Sequence, residues 1–163
     1  MTIFIKPNAT NTDTYFILAM FDETRPRLER IVFASTEIQI IEFLDDCNPS
    51  DDDRIYFDGS VYGQTGVDLR RATERHIYIY KDKHATQGDA KQSLSSQNEI
   101  IAQSRWIAQN MQYHKSLKGN ADFSRFLQLI KDYRPTNPNC DPTAAELMAA
   151  AARIFRKQAM RNG

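Results

Sequence analysis

The chain has 163 residues, 41% of them hydrophobic and 10% aromatic, which is too much apolar material for a wholly disordered chain. Its length suits one domain, or a small domain with a helical extension, and six glycines and six prolines leave little room for long flexible linkers. The formal net charge of +0 hides an asymmetry: residues 1–83 carry 10 Lys and Arg against 15 Asp and Glu, and residues 84–163 carry 11 against 6. A balance of −5 in one half and +5 in the other speaks to partners rather than to fold.

Thr2–Lys6 alternates and reads as an edge strand, whereas Tyr15–Phe21 is almost continuously apolar and suits a central strand covered on both faces. The polar turn Asp22–Arg27, with Pro26 inside it, leads into Leu28–Ala34 as the second arm of a hairpin. Ser35, Thr36 and Glu37 offer caps ahead of Ile38, Ile40, Ile41, Phe43 and Leu44, which predicts a short amphipathic helix ending at Asp45 and Asp46. After the loop Cys47–Asp53, Arg54–Asp58 and His76–Lys81 read as strands. Between them lie the turn Gly59–Gly66 and one or two helical turns over Val67–Glu74.

Gln87–Asn98 is the most polar stretch and marks a boundary. Beyond it the apolar period becomes helical. Ile100, Ile107 and Met111 share one face, and Gly119-Asn120 closes that helix. Phe123, Phe126, Leu127 and Ile130 form a stripe ended by Arg134-Pro135, with Asn120 or Asp122 as its cap. Asp141 as N-cap and Pro142 at the first helical position open the last helix, whose stripe is Leu147, Ala151, Ile154 and Phe155. The predicted fold is therefore α+β. A small antiparallel sheet unit with one short helix (1–83) is joined by a polar linker (84–97) to three helices within 98–163. These run over roughly 98–118, 121–134 and 142–160, and pack on the sheet as one joint domain.

Motifs for chemistry are sparse. The segment Glu37–Asp58 holds eight carboxylates and one arginine. An EF-hand numbered from Asp51 would need glycine and glutamate where Tyr56 and Tyr62 stand, so that calcium pattern fails. Asp45, Asp46, Asp51, Asp52, Asp53 and Asp58 are instead expected to form an acidic surface for a basic protein partner. Gly59–Gly66 lacks the Lys of a phosphate-binding loop, and its Gly63-Gln64-Thr65-Gly66 matches only the bare loop of a KH domain. On the strand His76–Lys81, period two sets His76, Tyr78 and Tyr80 on one face. With Arg70, Arg71 and Arg75 upstream, that pattern is what a single-strand nucleic-acid platform uses. Arg153, Arg156, Lys157 and Arg161 make a basic end that complements a helix dipole or contacts phosphate.

No GxSxG elbow, HExxH helix or zinc-ligand spacing is present, and no cofactor or metal site is predicted. The N-terminus lacks the charged and long apolar regions of a signal peptide, and no apolar run reaches the ~20 residues of a membrane span. A cytoplasmic location follows as the expectation, with Cys47 and Cys140 as free thiols. The leading functional expectation is a non-catalytic protein-binding regulator, inhibitor or adaptor, with self-association between oppositely charged halves as a further option. Single-strand nucleic-acid binding through Tyr78, Tyr80 and the basic residues is the second reading. A metal-dependent hydrolase built on Asp51–Asp53 is the third.

Overall fold

Two adjacent segments are apolar at both odd and even positions, and that decides the architecture: a strand of this kind has to be covered on both faces. In a computed structural model, residues 1–8, 14–24, 27–81, 100–102, 104, 106, 109–134, 136–137 and 139–162 are described, the side chains of 156–162 excepted. The fold is α+β. The strands are β1 (Thr2–Pro7), β2 (Phe16–Asp22), β3 (Arg27–Ala34), β4 (Arg54–Asp58), β5 (Tyr78–Tyr80) and β6 (Gln112–Tyr113), in the sheet order β5-β4-β1-β2-β3-β6. The helices are α1 (Glu37–Cys47), α2 (Gly63–Thr73), α4 (Ala121–Asp132) and α5 (Thr143–Asn162). α3 is helical at positions 100–102, 104, 106, 109 and 110.

The sheet is mixed rather than antiparallel. β2 pairs antiparallel with β1 and with β3, but β1–β4, β4–β5 and β3–β6 are parallel. β1 is therefore central rather than an edge, with β2 on one side and β4 on the other, and all six of its residues are buried. Its alternation reflects two different covers. Ile3 and Ile5 join Phe16, Leu18 and Met20 under α1 and α2, through Ile40, Leu44 and Leu69. Phe4 joins Ile17, Ala19 and Phe21 under α4 and α5, through Phe126, Leu147, Ala151 and Phe155.

Local chemistry sets the helix ends. Thr36 and Gln39 form a reciprocal capping box on α1, and Asn48 closes it in the left-handed conformation at φ 44°. α2 runs for 11 residues and takes in Gly63–Gly66, which the sequence reads as part of a turn, and Gly66 lets it lie against the sheet. A Cβ at Gly66 would stand 2.8 Å from Phe57 and 3.0 Å from Ile79. Asn120 caps α4, and Asp141 accepts the Thr143 amide at 3.0 Å at the start of α5.

The helix expected over 98–118 is shorter. Gln112–Tyr113 leaves the helical path to pair with Arg27 and Leu28 of β3, and a 3-10 turn follows at Lys115–Leu117. The stripe on α4 also shifts: Phe126 is buried, Phe123, Leu129 and Ile130 pack beside it, and Leu127 is exposed. The predicted linker 84–97 lies outside the described residues. Among the described residues no helix is long and apolar enough to cross a membrane.

Candidate functional site

Two groups of charged side chains stand out, at opposite ends of the parallel strands. At the carboxyl ends of β1 and β4, Lys6 lies between Asp58 and Glu146, bonded to Asp58 and 3.0 Å from Glu146 of α5. All three side chains are at most 4% exposed. Burial works against the ammonium, but the two carboxylates outweigh it and hold the Lys6 pKa well above the usual lysine range. Asp58 also accepts the Ser60 amide at 2.9 Å. The sequence groups Asp58 with the surface carboxylates; its burial removes it from any docking surface and makes it the partner of Lys6.

The other group lines an open cleft of about 420 Å³ at the amino ends of β4 and β5, formed by residues 49–55 together with Glu74, Arg75, His76 and Tyr78. The preceding loops deliver four carboxylates to it: Asp51, Asp52 and Asp53 ahead of β4, and Glu74 at the left-handed C-cap of α2, φ 53°. Asp51, Asp52 and Glu74 are exposed. Asp53 is tied down by the terminal ammonium of Met1 at 2.6 Å and the Ser50 amide at 2.9 Å. Partial burial opposes its charge, and these bonds still bring its pKa below the usual carboxylate range. Arg75 spends its guanidinium on the Pro49 carbonyl at 3.2 Å, with Asp45 3.9 Å away. Asp45 and Asp46 sit at the end of α1 outside the cleft lining, and Asp46 pairs with Arg30 at 3.0 Å. Of the six aspartates singled out in the sequence, the fold therefore gathers three here.

Tyr78 supplies the cleft's aromatic wall. It is 47% exposed, with His76 edge-on at 4.3 Å and Tyr56 of β4 at 5.6 Å. Tyr80 behaves differently: it is half-buried and packs with Tyr56 against the core under α4 and α5. Arg70 holds the Ile77 carbonyl through Nε and Nη2, at 3.2 and 2.8 Å, and Arg71 is exposed. Of the proposed row of stacking rings and arginines, Tyr78 lines the cleft exposed, and Arg71 is exposed outside its lining. Arg153 is half-buried on α5, and the side chains of Arg156, Lys157 and Arg161 lie outside those described. Among the described residues no group of three or more His, Cys, Asp or Glu is placed to hold a metal ion.

Glu74 belongs to the site, and no motif marks it: its place at the end of α2 brings it beside the aspartate loop. Tyr56 stands outside the lining and backs the Tyr78 ring from β4. Neither a protein-family model, nor a curated protein, nor a solved structure matches this chain.

Proposed function

We propose that the chain is a non-catalytic protein-binding module, an adaptor, inhibitor or regulator, that seats a basic segment of its partner in the cleft at the amino ends of β4 and β5. The observation that carries this reading is the convergence of Asp51, Asp52, Asp53 and Glu74 on one cleft beside the exposed ring of Tyr78. The four carboxylates outnumber the two arginines of the lining, and an excess of one sign in a concave site focuses the field and speeds the arrival of a cationic partner. The same carboxylates disfavour the nucleic-acid reading, because a strand with a base stacked on Tyr78 would bring its phosphates close to them. Arg70 and Arg75 also hold backbone carbonyls.

The test titrates labelled decapeptides of alternating Lys-Ala or Arg-Ala, with Glu-Ala as control, by fluorescence anisotropy at two salt concentrations. The basic peptides are expected to bind and to weaken as salt rises, over a Debye length of about 10 Å at 0.1 M. The triple variant Asp51→Asn, Asp52→Asn, Glu74→Gln is expected to slow association about tenfold with an unchanged melting temperature. Basic peptides that fail to bind the wild-type protein, or that associate equally fast with the triple variant, would remove the cleft as a docking site.

A further inference from the structure

We infer that the cleft reads arginine rather than lysine, with Tyr78 as the residue that sets the preference. This rests on the basic-partner reading above and specifies its chemistry. The cleft offers two kinds of group at once: exposed carboxylates at Asp51, Asp52 and Glu74, and the partly exposed aromatic ring of Tyr78, held by neighbouring rings. A lysine ammonium uses the first kind as a point charge. A guanidinium uses both, because its planar fork bonds a carboxylate bidentately while its face lies on a ring.

The molecule sets guanidinium on ring elsewhere from its own residues. Arg30 places its guanidinium 4.9 Å from the Phe43 ring centroid and bonds Asp46 at 3.0 Å. Arg125 lies over both Tyr15 and Phe33, at 4.9 and 4.3 Å. In the cleft the ring and the carboxylates are present beside two lining arginines. Arg75 is turned to the Pro49 carbonyl at 3.2 Å, and Arg54 is exposed. The cleft is thus an aromatic-and-carboxylate seat open to a guanidinium from another chain.

Tyr78 is also rigidly supported, which matters for stacking. Its strand is pinned to β4 by parallel pairing of Tyr78 with Tyr56 and by the bond from the Gly59 amide to the Tyr80 carbonyl at 2.7 Å. Arg70 fixes the preceding Ile77 carbonyl. A ring presented on so fixed a backbone loses little freedom when a guanidinium settles on it.

The experiment compares the Arg-Ala and Lys-Ala decapeptides, equal in charge and length, on the wild-type protein and on Tyr78→Leu. The wild type is expected to bind the arginine peptide about fivefold more tightly, the scale of a cation–π contact at a partly exposed site. In Tyr78→Leu that ratio is expected to fall to about one, while the residual affinity for both peptides remains salt-dependent. Equal binding of the two peptides by the wild type overturns the arginine preference and leaves the basic-partner reading standing. A ratio that persists in Tyr78→Leu overturns the role of Tyr78. Failure of both peptides to bind overturns the underlying reading as well. Tyr78→Phe, which keeps the ring, is expected to retain the preference, and its loss there would shift the cause from the ring face to the hydroxyl.

Discussion

At the scale of single residues, the sharpest commitment in this molecule is Lys6. A buried ammonium between two buried carboxylates is stable only as a set, because each charge removed from water relies on the others. Lys6→Met keeps the volume and removes the charge, leaving Asp58 and Glu146 facing each other without compensation. We expect it to cost about 3–5 kcal/mol in urea denaturation. Adding Asp58→Asn and Glu146→Gln to Lys6→Met is expected to recover more than half of that loss. If the single and triple variants unfold at the same denaturant concentration, the cluster is not coupled as its geometry implies. None of this was legible beforehand: Lys6 reads as the polar end of an alternating strand, Asp58 as one more acid in an acidic run, and Glu146 stands in no motif. Their contact joins three distant stretches of chain, and no local pattern encodes it.

At the scale of elements, what reads clearly is what local chemistry decides. The doubly covered β2, the hydroxyl cap of α1, the Asn120 cap of α4 and the aspartate start of α5 all follow from the residues in place. What does not read is long-range pairing. Strand alternation reports which faces are covered but not which neighbour lies alongside or in which direction it runs. The central place of β1 and the parallel β4 and β5 therefore emerge only in the folded chain. Gly59–Gly66 illustrates the same division. Its glycines read as a turn, yet Gly66 lies inside α2, which runs too close to Phe57 and Ile79 for a side chain there. We expect Gly66→Ala to destabilise the protein by about 1 kcal/mol net, from overpacking of about 1–3 kcal/mol less the ~1 kcal/mol gained from helix propensity. A thermal melt that shows Gly66→Ala more stable than wild type would mean that α2 can move away from the sheet. That would loosen the backbone presenting Glu74 and Tyr78.

At the scale of the whole molecule, one apolar cluster holds residues from both ends of the sequence. Phe4 and Phe21 of the central strands meet Phe155 of α5, with Phe21 and Phe155 rings 5.5 Å apart, while Phe126 of α4 lies in the same cluster. The acidic and basic halves therefore share a core, and we expect them to unfold together. Trp106, the single tryptophan, packs against this cluster from α3 and reports on the second half. Its fluorescence and the far-ultraviolet circular dichroism of the whole chain should give coincident melting curves. Two separated transitions would show that the halves are stable independently. The arrangement also has a consequence in time. Lys6 leaves the ribosome roughly 7–28 seconds before Glu146, at translation rates of about 5–20 residues per second. During that interval β1, β2 and β4 can pair, but the face carrying Phe4, Ile17 and Phe21 has no α5 to cover it. The nascent chain thus carries an open aromatic sheet face until its last helix emerges, and that interval is when it is most exposed to misassociation and to capture by chaperones.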